Sequence, residues 1–151
     1  MNEDLRDLYQ QMIMDHNKKP RNFRVMPDAT CKVEGFNPLC GDHFHIYLKM
    51  KGDVIEDISF EGSGCAISKA AASMMTGALM GKTREEAKAL FSEVHRMLSK
   101  GVEEPVDREK LGKLAVFAGV CEFPARVKCA SLAWHTMMEG IEPTGKQITT
   151  E

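Results

Sequence analysis

A thiol and a carboxylate lie two residues apart in the segment Asn37-Pro38-Leu39-Cys40-Gly41-Asp42. The proline and the glycine predict a turn just before a strand, so the backbone would hold Cys40 without core packing. A carboxylate beside a thiolate can share a metal ion with it. Asp beside Gly is also common for turn geometry alone. The segment therefore raises the question of whether other thiols complete a site with Cys40 and Asp42.

Two further cysteines lie where the thiolate form would be stabilised. Cys65 follows Gly-Ser-Gly and directly precedes a predicted helix, whose positive dipole end favours a charged sulfur. Cys129 lies in the last predicted helix, rotated by about 200° from Val127 on the apolar face, so we expect it to point away from the core. Arg126 precedes Cys129 on the same helix face, and its guanidinium would favour the thiolate. Thiolate is the form that binds metals and attacks sulfur electrophiles.

The cysteine spacing by itself leaves two interpretations open. Cys40, Cys65 and Cys129 match no short metal-ligand motif, and free cysteines are most often small buried hydrophobes. The other interpretation is a metal site shared with Asp42, because glycine-flanked loops pack poorly around a thiol. Asp42 would be a harder and weaker ligand than a fourth thiolate, so such a site could exchange a ligand with a donor thiol.

Three other residues are weaker candidates. Cys31 lies on an apolar strand face and Cys121 among apolar neighbours, so both are interpreted as buried hydrophobes. His43 is adjacent to Asp42 and is kept as an alternative ligand. The five cysteines are an odd number and include no CxxC pair, which disfavours a disulfide framework, a zinc ribbon and a thioredoxin-type site.

The elements that must position these residues follow the order helix, sheet, helices. Period-two patterns predict strands over 30–35, 43–50 and 54–61, and period-3.6 patterns predict the helices. The predicted helices are 3–17, one ending at Gly81, one from the Thr83-x-x-Glu86 capping box to near Gly101, 109–117, and one starting at Pro124. A polar stretch, 102–107, is predicted as a loop.

This order predicts an α+β fold in which helices pack on one face of a small antiparallel three-stranded sheet. The length of 151 residues fits one domain, 1–151, with a polar tail over 142–151 that we expect to fray.

Bulk composition excludes several classes of protein. The net charge of −2 gives no reason to expect a nucleic acid or an anionic membrane as a partner. No apolar run approaches the roughly 18 residues of a transmembrane helix. The N-terminus is acidic and polar, unlike a secretory or transit peptide, so we expect a cytoplasmic protein.

Three segments of the chain resemble the three cysteine motifs of the IscU/NifU-N superfamily of iron–sulfur cluster assembly proteins. They are Asn37 to Asp42, Phe60 to Ser68 and Phe123 to Trp134. The resemblance continues in the N-terminal segment from Asn17 to Phe23, so it covers nearly the whole chain. It implies an IscU/SufE-like fold.

Two features resemble the SufU-type branch of this superfamily. IscU scaffolds typically carry a histidine directly before the third cysteine, where this chain has Lys128. The 63 residues between Cys65 and Cys129 resemble the longer region of the SufU-type branch.

The resemblance implies a role for each site residue. Cys40, Asp42, Cys65 and Cys129 would bind zinc, and Cys40 would accept persulfide sulfur from a pyridoxal-phosphate cysteine desulfurase. Arg126 would assist the thiolate or the partner contact. The sulfur would then pass to downstream iron–sulfur assembly proteins.

Three functions are compatible with these residues. The first is a zinc-containing sulfurtransferase that relays sulfur, which is unlike a conventional turnover enzyme. The alternative is a scaffold that binds iron at the same residues and builds a transient iron–sulfur cluster, since thiolates serve both. Lys128 and the long 66–128 region favour the relay. A purely structural zinc domain is disfavoured by the Asp ligand.

Overall fold

The computed structural model describes residues 3–100, 108–145 and 148–149. This part of the chain contains five α-helices, one 3₁₀ helix and four strands. The α-helices are α1 (Glu3–Lys18), α2 (Ala66–Leu79), α3 (Arg84–Lys100), α4 (Arg108–Leu111) and α5 (Pro124–Ile141), and the 3₁₀ helix is Gly112–Glu122. The strands are β1 (Cys31–Asn37), β2 (Asp42–Lys51), β3 (Val54–Ser63) and β4 (Ile148–Thr149).

The strands form one mixed sheet in the order β3-β2-β1-β4. The two antiparallel pairings, β1 with β2 and β2 with β3, are as predicted. The prediction of three strands is wrong, because β4 in the C-terminal tail pairs parallel with Gly35 and Phe36. A strand of two residues is too short for a period-two pattern to be read from sequence.

A second correction concerns the predicted helix 109–117. The chain instead forms the single turn of α4 and then the 3₁₀ helix. Gly112 has a φ of 55°, a left-handed value that ends α4 at Leu111. The predicted loop 102–107 lies outside the described residues.

The helices pack on one face of the sheet, and this confirms the α+β architecture. The inward side chains of β2, among them Phe44, Ile46 and Leu48, are fully buried. α5 lies against β1 and β2, and α2 lies against β3 and α5. Trp134 of α5 is among the largest buried side chains of the core. This packing brings the N-termini of α2 and α5 to the β1–β2 hairpin loop.

The capping box predicted for α3 is present. The backbone N–H of Glu86 donates to Thr83 Oγ1 and that of Thr83 donates to Glu86 Oε1, both at 3.1 Å. Within the described residues, no helix is both long and apolar enough to cross a membrane.

Gly35 of β1 packs so closely against α5 that a substitution there tests the contact between the two elements. A Cβ added at Gly35 would lie 2.0 Å from Thr136 Oγ1 and 3.2 Å from Leu132 Cδ1. We predict that Gly35→Ala lowers the free energy of unfolding by about 1–3 kcal/mol, because the core has no room for the methyl group. Urea denaturation measures this change.

Gly77→Ala is the matched control for this prediction. Gly77 lies in α2 with open space around its Cα, so alanine should raise the free energy of unfolding by about 0.5–1 kcal/mol. If Gly35→Ala unfolds at the same urea concentration as the wild type, this result would contradict the close packing of β1 against α5.

Candidate metal centre

The β1–β2 hairpin places Cys40 and Asp42. Asn37 and Asp42 are cross-strand partners, and the loop between them contains Cys40. Gly41 adopts a φ of 73°, which a side chain would disfavour. Because side chains alternate along a strand, Asp42 faces inward with Phe44, and its side chain is fully buried.

Three groups hold the buried carboxylate of Asp42. The backbone N–H of Cys65 donates to Oδ1 at 2.9 Å, and Ser68 Oγ donates to the same oxygen at 3.0 Å. Asn37 Nδ2 donates to Oδ2 at 3.2 Å. No lysine, arginine or histidine of the described residues forms an ion pair with Asp42. Among the described residues, the hydrogen-bond donors to this carboxylate are therefore neutral groups.

Cys65 caps the N-terminus of α2, as its position before the helix predicted. Its sulfur accepts a hydrogen bond from the backbone N–H of Ser68 at 3.4 Å. The preceding residue, Gly64, leaves no room for a side chain, because a Cβ there would lie 2.7 Å from Asp42 Oδ1 and 2.5 Å from Ser68 Oγ. The N-terminus of α2 thus approaches the carboxylate directly.

Cys129 contacts Cys40 from the first turns of α5. The two sulfurs lie 3.2 Å apart, and Asn37 Nδ2 lies 3.7 Å from Cys129 Sγ. Cys129 is not part of the hydrophobic core cluster, in agreement with its position off the apolar face of α5. Its side chain is nevertheless fully buried, which the sequence did not predict. The hairpin loop covers this part of α5, and a helical wheel of one helix contains no information about a loop that folds over it.

The ligand atoms of Cys40, Asp42 and Cys129 all lie within 4.8 Å of one another. The fourth predicted ligand, Cys65, is not in this compact group, but its sulfur affects the pKa of the Cys129 thiol. Burial raises the pKa of the Cys129 thiol, and the hydrogen bond with Cys40 and the charge of Cys65 raise it further. These effects oppose the one predicted for Arg126, whose guanidinium interacts with the sulfur of Cys129.

Arg126 lies at the edge of this group. Its side chain is exposed, and the charges of Cys65 and Cys129 raise the pKa of the guanidinium. The arginine is therefore close to the sulfur of Cys129, as its position three residues earlier on the same helix face predicted, and it is also close to the sulfur of Cys65.

The weaker candidates lie elsewhere. His43 extends to the opposite face of β2, where its Nε2 lies 2.8 Å from Glu34 Oε2. Cys31 packs against the core with its sulfur 3.5 Å from the carbonyl oxygen of Gly140. The side chain of Cys121 lies outside the described residues.

The buried charge of this group fits a cation. The thiols of Cys40 and Cys129 converge with the carboxylate of Asp42. A buried carboxylate is unfavourable unless a positive charge lies nearby. Asn37 Oδ1 is a buried acceptor with no donor among the described residues. Together with the sulfur of Cys65, the groups of Cys40, Asp42 and Cys129 would offer three sulfurs and one oxygen, a donor set that suits a tetrahedral zinc ion.

Asn37 and Ser68 are the residues whose roles sequence reasoning missed. Both belong to the motif segments, but neither had an assigned partner. A Cys-x-x-Ser sequence at a helix N-terminus resembles a capping pattern, which could have suggested Ser68. Nothing in the sequence indicates that the amide of Asn37 contacts Asp42 and Cys129.

Comparison with known proteins shows the family to which the chain belongs. A model of the NifU-like N terminal domain matches residues 8–130, and the chain belongs to this family. It is 44% identical over 143 residues to the zinc-dependent sulfurtransferase SufU of Bacillus subtilis (strain 168). This alignment covers 93% of each chain.

Two further relatives bear scaffold names. The chain is 42% identical over 138 residues to the iron–sulfur cluster assembly scaffold protein IscU of Streptococcus pyogenes serotype M1, which covers 91% of this chain and 85% of the relative. A crystal structure of a candidate scaffold protein for the SUF system from Fervidobacterium islandicum AW-1 superposes with a TM-score of 0.82. It is 34% identical and covers 87% of this chain and 95% of that one.

The hydroxyl of Ser68 provides a test of the carboxylate's surroundings. We predict that Ser68→Ala weakens zinc binding about 10- to 100-fold, because outer hydrogen bonds hold a ligand in its binding orientation. Competition with a chromogenic chelator measures the affinity.

Ser131→Ala is the control, since the Ser131 hydroxyl donates within α5 to the carbonyl oxygen of Lys128 at 3.4 Å and has no other hydrogen bond in the described part of the chain. Equal affinities of the two variants would contradict the role given to Ser68.

Proposed function

We propose that this chain takes persulfide sulfur on Cys40 from a pyridoxal-phosphate cysteine desulfurase and passes it to iron–sulfur cluster assembly. Zinc would be held by Cys40, Asp42, Cys65 and Cys129. The observation that carries the proposal is the contact of Cys40 with Cys129 beside the buried carboxylate of Asp42. The similarity to a zinc-dependent sulfurtransferase supports it.

Zinc supplies one property when bound, which is that it keeps cysteine ligands deprotonated at neutral pH. Burial raises the pKa of the Cys129 thiol, and a cation bound beside the sulfur would oppose that effect. Asp42 contributes an oxygen ligand that is harder than sulfur and binds zinc less tightly than a thiolate. Such a mixed site suits exchange better than a site of four thiolates.

Cys40 is the best placed acceptor of the three thiols. It lies in the hairpin loop and is half-buried, whereas Cys129 is fully buried and Cys65 caps a helix. Its thiolate attacks the outer sulfur of the desulfurase persulfide, and the S–S bond of the donor breaks as the new one forms. The donor cysteine leaves as a thiolate, so no external oxidant or reductant is needed.

Arg126 acts at the mouth of this site. Its guanidinium is exposed and close to the sulfurs of Cys65 and Cys129, so it adds positive charge where sulfur anions gather. We assign it to stabilising the attacking and leaving thiolates.

Exposed apolar side chains next to the site support docking of a protein donor. Leu39 precedes Cys40 and is 66% exposed, and Phe123 at the start of α5 is 59% exposed. Apolar side chains at the rim of a reactive thiol fit a protein surface better than a small polar substrate.

The scaffold function is the second candidate. The IscU relatives support it by name, and the same three thiols and carboxylate could ligate iron. Lys128 stands directly before Cys129, where the scaffold motif has histidine, and this favours the relay.

The experiment combines the zinc-loaded protein with a cysteine desulfurase and cysteine, then maps persulfide by peptide mass spectrometry. We predict persulfide on Cys40 and faster desulfurase turnover. Cys40→Ala should lose both, because Cys40 is the one thiol of the loop between Asn37 and Asp42.

Cys31→Ala is the matched control and should keep both signals, since Cys31 packs against the core away from the site. Stimulation that survives Cys40→Ala would overturn the relay. Uptake of iron and sulfide into a stable cluster that transfers to an apo-acceptor would favour the scaffold.

A further inference from the structure

The solvent-facing side of the sheet carries a second cluster of possible ligands. Glu34 of β1 is the cross-strand partner of His45 of β2, and His45 is in turn the partner of Glu61 of β3. His43 lies two residues from His45 and therefore on the same face. These four side chains form a row across three strands, on the face of β2 opposite to Asp42.

The distances within this cluster are short. Glu34 Oε2 lies 2.8 Å from His43 Nε2 and 3.1 Å from His45 Nε2. His45 Nδ1 lies 2.8 Å from Glu61 Oε1, which also accepts a hydrogen bond from the hydroxyl of Tyr47 at 3.2 Å. Ligand atoms of Glu34, His43 and His45 all lie within 4.8 Å of one another.

The hydrogen-bonding groups around His45 do not match a neutral imidazole ring. A neutral imidazole has one N–H and one lone pair, yet both ring nitrogens of His45 face carboxylate oxygens. If Nδ1–H donates to Glu61, the lone pair of Nε2 faces an acceptor on Glu34. Either a second proton or a cation between Nε2 and the carboxylate removes this conflict.

We propose that Glu34, His43 and His45 bind a divalent first-row transition metal ion, separate from the thiol site. Two imidazoles and one carboxylate form a donor set that suits zinc or ferrous iron and leaves positions open to water. Glu61 is the outer carboxylate that fixes the tautomer of His45, with Tyr47 holding Glu61 in turn.

The exposure of this cluster and its separation from the thiol site also favour metal binding there. The side chains of Glu34 and His43 are about half exposed, so an ion reaches them without any opening of the fold. His43 directly follows Asp42, but the alternation of β2 points the two side chains to opposite faces. The two sites therefore have separate ligands, and this inference does not rest on the proposed function.

The test adds Co²⁺ to protein whose thiol site is already loaded with one zinc ion per chain. Equilibrium dialysis followed by elemental analysis of both metals gives the cobalt bound and any zinc displaced. We expect one Co²⁺ per chain with zinc retained. His43→Gln/His45→Gln should lose this cobalt, and Glu61→Gln should bind it about tenfold more weakly.

His95→Gln is the matched control, because His95 stacks on Phe91 of α3 away from the cluster. It should bind Co²⁺ as the wild type does. Glu34→Gln, an exposed substitution, serves as a second variant if the double histidine variant loses its zinc or its circular dichroism. No bound cobalt in the wild type, or equal binding by the variants and the control, would overturn the proposal.

Discussion

Asp42 carries a carboxylate that is fully buried, and the described residues give it no ion-pair partner. Such a group is tolerated only where donors surround it. Those donors come from β1, from the N-terminus of α2 and from the side chain of Ser68, so elements distant in sequence must end at the same point. Cys129 then packs against Cys40 and extends the same buried group. The fold therefore assembles acidic and thiol groups that a cation would stabilise.

The alternation of side chains along β2 separates two kinds of chemistry. The inward face begins with Asp42 and continues into the core with Phe44, while the outward face carries His43 and His45. Soft sulfur ligands gather on the helix-covered side, and imidazole and carboxylate ligands gather on the side open to solvent. The two faces of one strand thus carry the thiol and carboxylate group on one side and, on the other, the proposed nitrogen and oxygen site, which has a different metal preference.

Much of this organisation could be predicted from the sequence. Period-two and period-3.6 patterns gave the three long strands and the long helices, since each carries enough residues for its period to be read. The two-residue β4 and the 3₁₀ helix were missed, because one is too short and the other follows from the left-handed turn at Gly112. The burial of Cys129 was missed because it depends on the hairpin loop. Asn37 and Ser68 gain their roles only from tertiary contacts.

Zinc-edge X-ray absorption of protein holding one zinc ion per chain tests the central claim most directly. The claim is that the buried carboxylate and the three thiols share one cation. It predicts three sulfur neighbours at about 2.3 Å and one oxygen neighbour at about 2.0 Å, with the oxygen lost in Asp42→Ala. A shell of four sulfurs, a shell of nitrogen and oxygen alone, or a spectrum unchanged by Asp42→Ala would contradict it.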